Sequence, residues 1–313
     1  MKPGRYIILV LMAALLNIVS SCQNADTGIK PSIVVTYSIL GSVVQELVGD
    51  RTDVIVSIPN GLDLHEWEPS AKDIEKINKA ALVVRNGLNL EAGMEKSLDT
   101  AEKSGAKIFT ASDHIAVRHV ESHEGAHENE DGHHHHEGAS DPHLWTDPVM
   151  MKAVVEALIP VLKIELGIDA SIRAREIIGR LDYLDRQIAD TLSSIPAEDR
   201  KIVTGHESMG YFSQRYGFNM IGVIVPGLSS QASVSASDLS NLKRAIQDNR
   251  VKTIFTEQGT SPAIAGAISD ETGVKVVELN THVLPADGSY FTFLKDMADT
   301  IANALTQGSR GQQ

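Results

Sequence analysis

"DASIRAREIIGRLDYLDRQIADTLSSI", residues 169–195, is the stretch on which the fold turns. Its apolar residues Ile172, Ile177, Ile178, Leu181, Leu184, Ile188 and Leu192 recur mostly at three- and four-residue steps. That spacing predicts one amphipathic helix of roughly seven turns, at ~3.6 residues per turn. Working outward from it, the chain alternates strand-like and helix-like runs on both sides. Upstream lie "SIVVTYS" (32–38), "DVIVSIP" (53–59), "ALVVRNG" (81–87) and "AKIFTA" (106–111), separated by the helical runs "ILGSVVQELVG", "SAKDIEKINKA" and "LEAGMEKSLDTAEKSG". Downstream lie "KIVTG", "NMIGVIV", "VKTIFTE" and "VKVVELN", alternating with four more helical runs, the last being "YFTFLKDMADTIANALT". Strand–helix alternation implies parallel βαβ units. The expected fold is α/β, with two similar lobes joined by the long helix. Each lobe is a mainly parallel sheet flanked by helices, and a ligand belongs in the cleft where loops from the strands' carboxyl ends converge.

Local signals refine this picture. Ser70 with Asp73 reads as an acidic capping box, and Asp147-Pro148 reads as an N-cap before a first-turn proline. The run "VMMKAVVEALIPVLKIELG" contains Pro160, which predicts a kink or a break into two pieces. The expected divisions are a signal segment 1–22, a tether 23–30, an N-terminal lobe 31–170, a connector 171–195 and a C-terminal lobe 196–313.

Composition narrows the function classes. The chain has 313 residues, 42% of them hydrophobic, which suits a globular protein with a substantial core. The formal charge of -13 and the 4% aromatic content argue against a nucleic-acid partner. Lys2 and Arg5 precede the apolar run Tyr6 to Val19, and "VSSC" (19–22) follows. This arrangement resembles a bacterial lipobox cleaved before Cys22; the alternative is an uncleaved anchor helix. Cys22 is the only cysteine, which excludes an internal disulfide or a multi-cysteine zinc site. No later stretch is long and apolar enough to span a membrane.

The chemistry is carried by histidine. "HVESHEGAHENEDGHHHHEGASDPHLW" (119–145) holds eight of the chain's 12 histidines. Its flag, about 119–138, is polar and aperiodic and reads as a surface loop. Outside region 114–136, four histidines remain: His65, His143, His206 and His282. Each is expected in a loop just after a strand or just before a helix. A single loop histidine is usually solvated or caps a backbone group. Four converging imidazoles would instead form a closed tetrahedral site suited to Zn²⁺ at about 2.0–2.1 Å.

From the lipobox to about Leu305, the chain resembles the metal-binding solute-binding lipoproteins of bacterial ABC importers, the group that carries zinc or manganese. The loop around His65, with Glu68-Pro69 and Asp73 downstream, resembles that family's first-ligand loop. "DPHLWTDP" (141–148) is the most specific match and gives His143. "TGHESMGYFSQRYG" (204–217) gives His206, and the helix at about 171–194 matches the family's rigid connector. The family commonly places an acidic fourth ligand after the last strand; here "LNTHVLP" puts His282 there, with Asp287 or water as the rival. The resemblance implies a monomeric, lipid-anchored receptor, periplasmic or on the outer surface. It would capture Zn²⁺ and deliver it to an ABC permease without catalysing a reaction.

Two other classes stay in view: a zinc hydrolase with an open coordination position and a metal-binding surface adhesin. G-x-S-x-G and P-loop motifs are missing, and H-E-x-x-H occurs only as His123-Glu124-Gly125-Ala126-His127 inside the aperiodic flag, where no helix is expected to present both histidines on one face. An all-histidine set favours Zn²⁺, and also Cu²⁺ or Ni²⁺, over Mn²⁺, which prefers carboxylate oxygen. Glu66, Asp141, Asp147, Glu207 and Glu257 are candidates to orient the rings. The flag histidines His119, His123, His127, His133, His134, His135 and His136 form an accessory set. Zinc members of the family carry such a loop here, which implies weak zinc collection and hand-over, or a sensor of excess metal. The plain alternative is a tolerated insertion. Trp67 and Trp145 each lie two residues after a proposed ligand and are expected to report on metal.

Overall fold

The computed structural model describes residues 31–120, 139–230 and 232–307. Cys22, the signal segment, the tether, and the flag histidines His123, His127, His133, His134, His135 and His136 lie outside the described residues. From Ser32 onward the described chain forms one compact unit.

The first half is built on β1 (Ser32–Tyr37), β2 (Asp53–Ile58), β3 (Leu82–Arg85) and β4 (Ile108–Thr110). They form one all-parallel sheet in the order β2-β1-β3-β4. β1 and β3 read as near-continuous apolar runs because they are central and covered on both faces. Helix α1 (Ser38–Val48) follows β1 directly and buries Ile39, Leu40, Val43, Val44, Leu47 and Val48. Gly41 lets it press onto the sheet, since a Cβ there would collide with Val56. Helix α2 (Ala71–Lys79) carries the expected capping box, with Ser70 and Asp73 satisfying each other's backbone N–H. Helix α3 (Glu95–Lys103) starts later than its sequence suggests. Leu90 and Met94 are buried in the preceding turn, and Gly93 packs against the Trp67 carbonyl.

Helix α4 (Pro148–Leu166) is a single helix that runs through Pro160, so there is no break into two pieces. Pro160 and Glu156 are both exposed, so the carbonyl that loses its donor faces water. Asp147 caps the helix through the Val149 N–H, with Pro148 in the first turn.

Helix α5 (Ser171–Leu192) is the long connector. Ala174, Ile177, Leu181, Leu184, Ile188 and Leu192 form its buried stripe. Ile172 departs from the sequence reading and is 67% exposed, because the chain enters the helix before reaching the core.

The second half contains β7 (Lys201–Thr204), α6 (Gly210–Tyr216), β8 (Asn219–Val223), α7 (Ala236–Asp248), β9 (Thr253–Thr256), α8 (Pro262–Thr272), β10 (Lys275–Glu278) and α9 (Tyr290–Gln307). Its strands bond as two parallel pairs, β7 with β8 and β9 with β10. β7 lies beside β9, so the spatial order β8-β7-β9-β10 repeats β2-β1-β3-β4. The two halves are therefore similar α/β lobes. The last helix, α9, returns to pack on α5 and α1, and its Tyr290, Phe293, Leu294 and Ile301 join the core of the first half. The connector is thus held along its length by α1, α4 and α9. Between the lobes, β5 (His119–Val120) and β6 (Ala139–Ser140) pair antiparallel and bring together the two ends of the histidine flag. Among the described residues no helix is long and apolar enough to cross a membrane.

Candidate metal centre

His206 lies two residues beyond β7, His282 four beyond β10 and His65 seven beyond β2, while His143 precedes α4. All four are buried, with exposures of 9% at His65, 0% at His143, 2% at His206 and 5% at His282. One ring nitrogen from each lies within 4.8 Å of the other three. His143 Nε2 is 3.3 Å from His65 Nε2 and 3.3 Å from His206 Nε2. The edge of a tetrahedron is about 1.63 times its centre-to-corner distance. Zn–N bonds of about 2.0–2.1 Å therefore require edges of about 3.3–3.4 Å. These two separations match that figure.

Three of the rings are aimed by a neighbouring side chain, and His65 is held at its backbone. The Asp141 carboxylate accepts both the backbone N–H of His143 (3.0 Å) and its Nδ1–H (2.8 Å), leaving the Nε2 lone pair facing inward. Arg118 binds the other Asp141 oxygen at 3.1 Å, and Gly210 makes room for the pair, since a Cβ there would strike both groups. Glu257 Oε2 lies 2.9 Å from His206 Nδ1, and Ser208 Oγ donates to both Glu257 oxygens at 2.8 Å. Gly205 permits this approach, because a Cβ there would collide with Thr260 Oγ1. His282 Nδ1 lies 2.6 Å from Thr281 Oγ1. Its Nε2 is one of two buried side-chain polar atoms without a partner among the described residues, a costly state unless an ion takes the lone pair. Asp63 accepts the backbone N–H of His65 at 2.8 Å.

These surroundings set the charges. Burial, helped by the charge of neighbouring imidazoles, holds His143 and His282 well below the ordinary histidine range. Burial also brings His65 down to about 4, with His206 adding to the effect and Asp63 opposing it. At His206 burial works against the charged form, but the Glu257 carboxylate outweighs it and the pKa rises. Burial lifts Asp141 to about 6, against the pull of the His143 N–H and Arg118. At neutral pH the set is thus three neutral donors and one imidazole that holds its proton more strongly.

The rival residue Asp287 is not in the cluster. It is exposed just ahead of α9, accepting from the Ser289 N–H and the Thr292 hydroxyl, while Ser289 Oγ caps the helix. Of the five carboxylates read as ring-orienting candidates, Asp141 and Glu257 touch a clustered ring. Asp147 is the α4 cap, Glu66 is exposed, and Glu207 lines a cavity with Arg118 and His119. His119 itself is exposed on β5, apart from the four. Sequence reasoning missed Asp63, Arg118, Ser208 and Thr281. A signal for Asp63 was present, because Asp63-Leu64-His65 and Asp141-Pro142-His143 share a D-x-H spacing that folds the carboxylate onto the histidine N–H.

Trp145 is fully buried, with its ring 5.3 Å from His143 and 5.6 Å from His282, and its indole N–H bonds the Thr281 carbonyl. Metal-dependent fluorescence should therefore come from Trp145. Titrating metal into the Trp145→Phe variant should give a nearly silent spectrum, whereas Trp67→Phe should keep the response.

A family model described as "zinc-uptake complex component A periplasmic" matches residues 33–304. The zinc-binding lipoprotein AdcA of Streptococcus pneumoniae is 32% identical over 278 residues, covering 88% of this chain and 54% of the relative. The chain thus spans about half the length of that curated relative. The manganese ABC transporter substrate-binding lipoprotein PsaA of Streptococcus anginosus is 26% identical, covering 98% of this chain and 99% of the relative. Among solved structures, the periplasmic zinc binding protein TroA from Treponema pallidum aligns with a TM-score of 0.76 and 26% identity, covering 88% of this chain and 99% of that one.

Proposed function

The chain belongs to the zinc-uptake complex component A family, and from that premise we propose that it captures Zn²⁺ outside the cytoplasm and hands it to an ABC permease. One observation carries the choice of metal: the four converging ligand atoms are all imidazole nitrogens, with no carboxylate oxygen among them. Relatives named for zinc and for manganese both exist. Mn²⁺ favours oxygen donors, whereas Zn²⁺ accepts a tetrahedral nitrogen set. Cu²⁺ and Ni²⁺ also bind imidazole but favour tetragonal geometry, which a compact cluster of four rings does not offer.

The same count argues for cargo over catalysis. A catalytic zinc keeps three protein ligands and an open position for water. Here a fourth imidazole fills that corner, and the space among Asp63, His65, His206, Gln258 and His282 is too small for a water molecule. In this reading Cys22 carries the lipid that holds the receptor at the membrane, and the chain works as a monomer. The flag gathers zinc weakly at the mouth of the cleft. A cavity of about 530 Å³ there is lined by His65 and by Ala139 and Ser140 at the flag's base.

The test is elemental analysis of protein lacking residues 1–22 and 121–138, a deletion that keeps the β5–β6 pair. The expected result is about one zinc per chain, retained against a roughly hundredfold excess of Mn²⁺. Zinc held only when the flag is present would place the main site on the flag and sink this reading.

A further inference from the structure

The four residues Glu257 to Thr260, "EQGT", form the loop after β9, and the cluster meets solvent there. Glu257 orients His206. Thr260 Oγ1 accepts the Glu257 N–H at 3.0 Å and pins the loop's shape. Gln258 lines the closed space beside His65, His206 and His282, while its outer side is exposed. Its Nε2 reaches across to the first half of the chain and donates to the Gly61 carbonyl at 2.6 Å. Gly259 has φ +84, and a Cβ there would press on Ser230 and Asp63. In the room it leaves, Ser230 Oγ donates to Asp63 Oδ2 at 2.8 Å. Asp63 Oδ1 meanwhile holds the His65 N–H. Two side-chain hydrogen bonds therefore tie the lobes together directly over the histidine cluster, and neither uses a clustered imidazole.

We infer that Gln258 and Ser230 are positioning residues that latch the lobes over the ion and set its release rate, leaving its coordination to the four histidines. The inference rests on the reading of the cluster as a metal site. A dication can leave this cluster past His65 into the cavity of about 530 Å³ or outward past Gln258, and on the Gln258 side one neutral hydrogen bond holds the cover. Nearby, the Asn60 side chain bonds both the backbone N–H and the carbonyl of Leu284 across the lobes. Breaking the bonds to Gly61 and Asp63 therefore loosens this edge without parting the lobes, while Asp141 and Glu257 keep holding His143 and His206. Water can then enter and replace one imidazole at a time. Gln258 is exposed and sits on a turn, so its removal leaves the core packing intact.

The experiment is stopped-flow removal of Zn²⁺ by a saturating chelator from the full mature chain, together with the visible spectrum of the Co²⁺-loaded protein. Gln258→Ala and Ser230→Ala should each speed zinc loss by about fivefold, the size expected for one neutral hydrogen bond. The double variant should be faster than either, and all three should keep the wild-type tetrahedral Co²⁺ spectrum. Unchanged dissociation rates in both single variants would overturn the latch. So would faster loss with an altered Co²⁺ spectrum, because the residues would then shape the coordination itself. Wild-type protein that binds no Zn²⁺ or Co²⁺ would instead reject the underlying metal-site reading.

Discussion

Replacing His143 by alanine should remove stoichiometric zinc binding. His143 is the hub of the cluster, with its Nε2 3.3 Å from the nitrogens of both His65 and His206. Structural zinc sites with four ligands bind with about 10–16 kcal/mol, so one ligand carries roughly 3 kcal/mol, a loss of at least about a hundredfold. The variant also takes the Nδ1–H donor from the buried Asp141 carboxylate, which keeps Arg118 and the backbone N–H at position 143. Asp141→Asn separates the two effects. It keeps four imidazoles but weakens the group that fixes the His143 tautomer, and should cost about 10–100-fold in affinity. Calorimetric titration of both variants should rank them in that order, with far-UV circular dichroism of the metal-free proteins confirming that both are folded. Unchanged stoichiometry and affinity in His143→Ala would place the ion elsewhere.

Most of the architecture was legible because periodicity and capping are local. The stripe from Ala174 to Leu192 repeats at helical steps, and its burial follows. The Ser70–Asp73 box and the Asp147-Pro148 start each declare a helix end within a few residues. The four histidines could be picked out because each stands at a loop next to a strand or helix end, and such loops converge in parallel α/β lobes. What could not be read depends on contacts between distant segments. Nothing near Gly205 says that Thr260 will lie against it, and nothing near Arg118 predicts a bond to Asp141 beneath Gly210. The return of α9 onto α5 and α1 is equally invisible in its own amphipathic pattern, which marks a buried face but not the face opposite. The late start of α3 has the same origin, because tertiary burial of Leu90 and Met94 overrides a helical pattern.

The second large effect is the pH profile of zinc affinity, and its shape follows from the unequal histidines. Zinc needs every imidazole neutral, so protons compete only at rings that hold them in the metal-free protein. Four unperturbed imidazoles with pKa values of ~6.5 would make affinity fall with about four protons per ion in mild acid. Here His143 and His282 are held well below that range and His65 near 4, so none of them competes at pH 5 to 7. His206 alone is raised, by Glu257. Affinity should therefore fall about tenfold per pH unit below the raised His206 value, with a slope near one proton. A steeper slope should appear only as pH approaches about 4, where His65 joins. In the folding stability of the metal-free chain His206 carries the opposite sign, and the three depressed imidazoles carry the same sign. Proton binding at His206 contributes stability that is complete below the unfolded value of ~6.5 and is lost as pH rises through the raised folded value. The three depressed imidazoles contribute stability above that unfolded value and lose it as pH falls toward their folded values. A proton and the zinc ion thus compete for the His206 imidazole beside Glu257, and calorimetry in buffers of different ionisation enthalpy should find up to about one proton released per zinc below the raised value. Glu257→Gln should flatten the slope between pH 5 and 7 while weakening binding at neutral pH by about 10–100-fold. A slope near four in the wild type would mean that the four rings titrate as exposed histidines and do not form this buried cluster in solution.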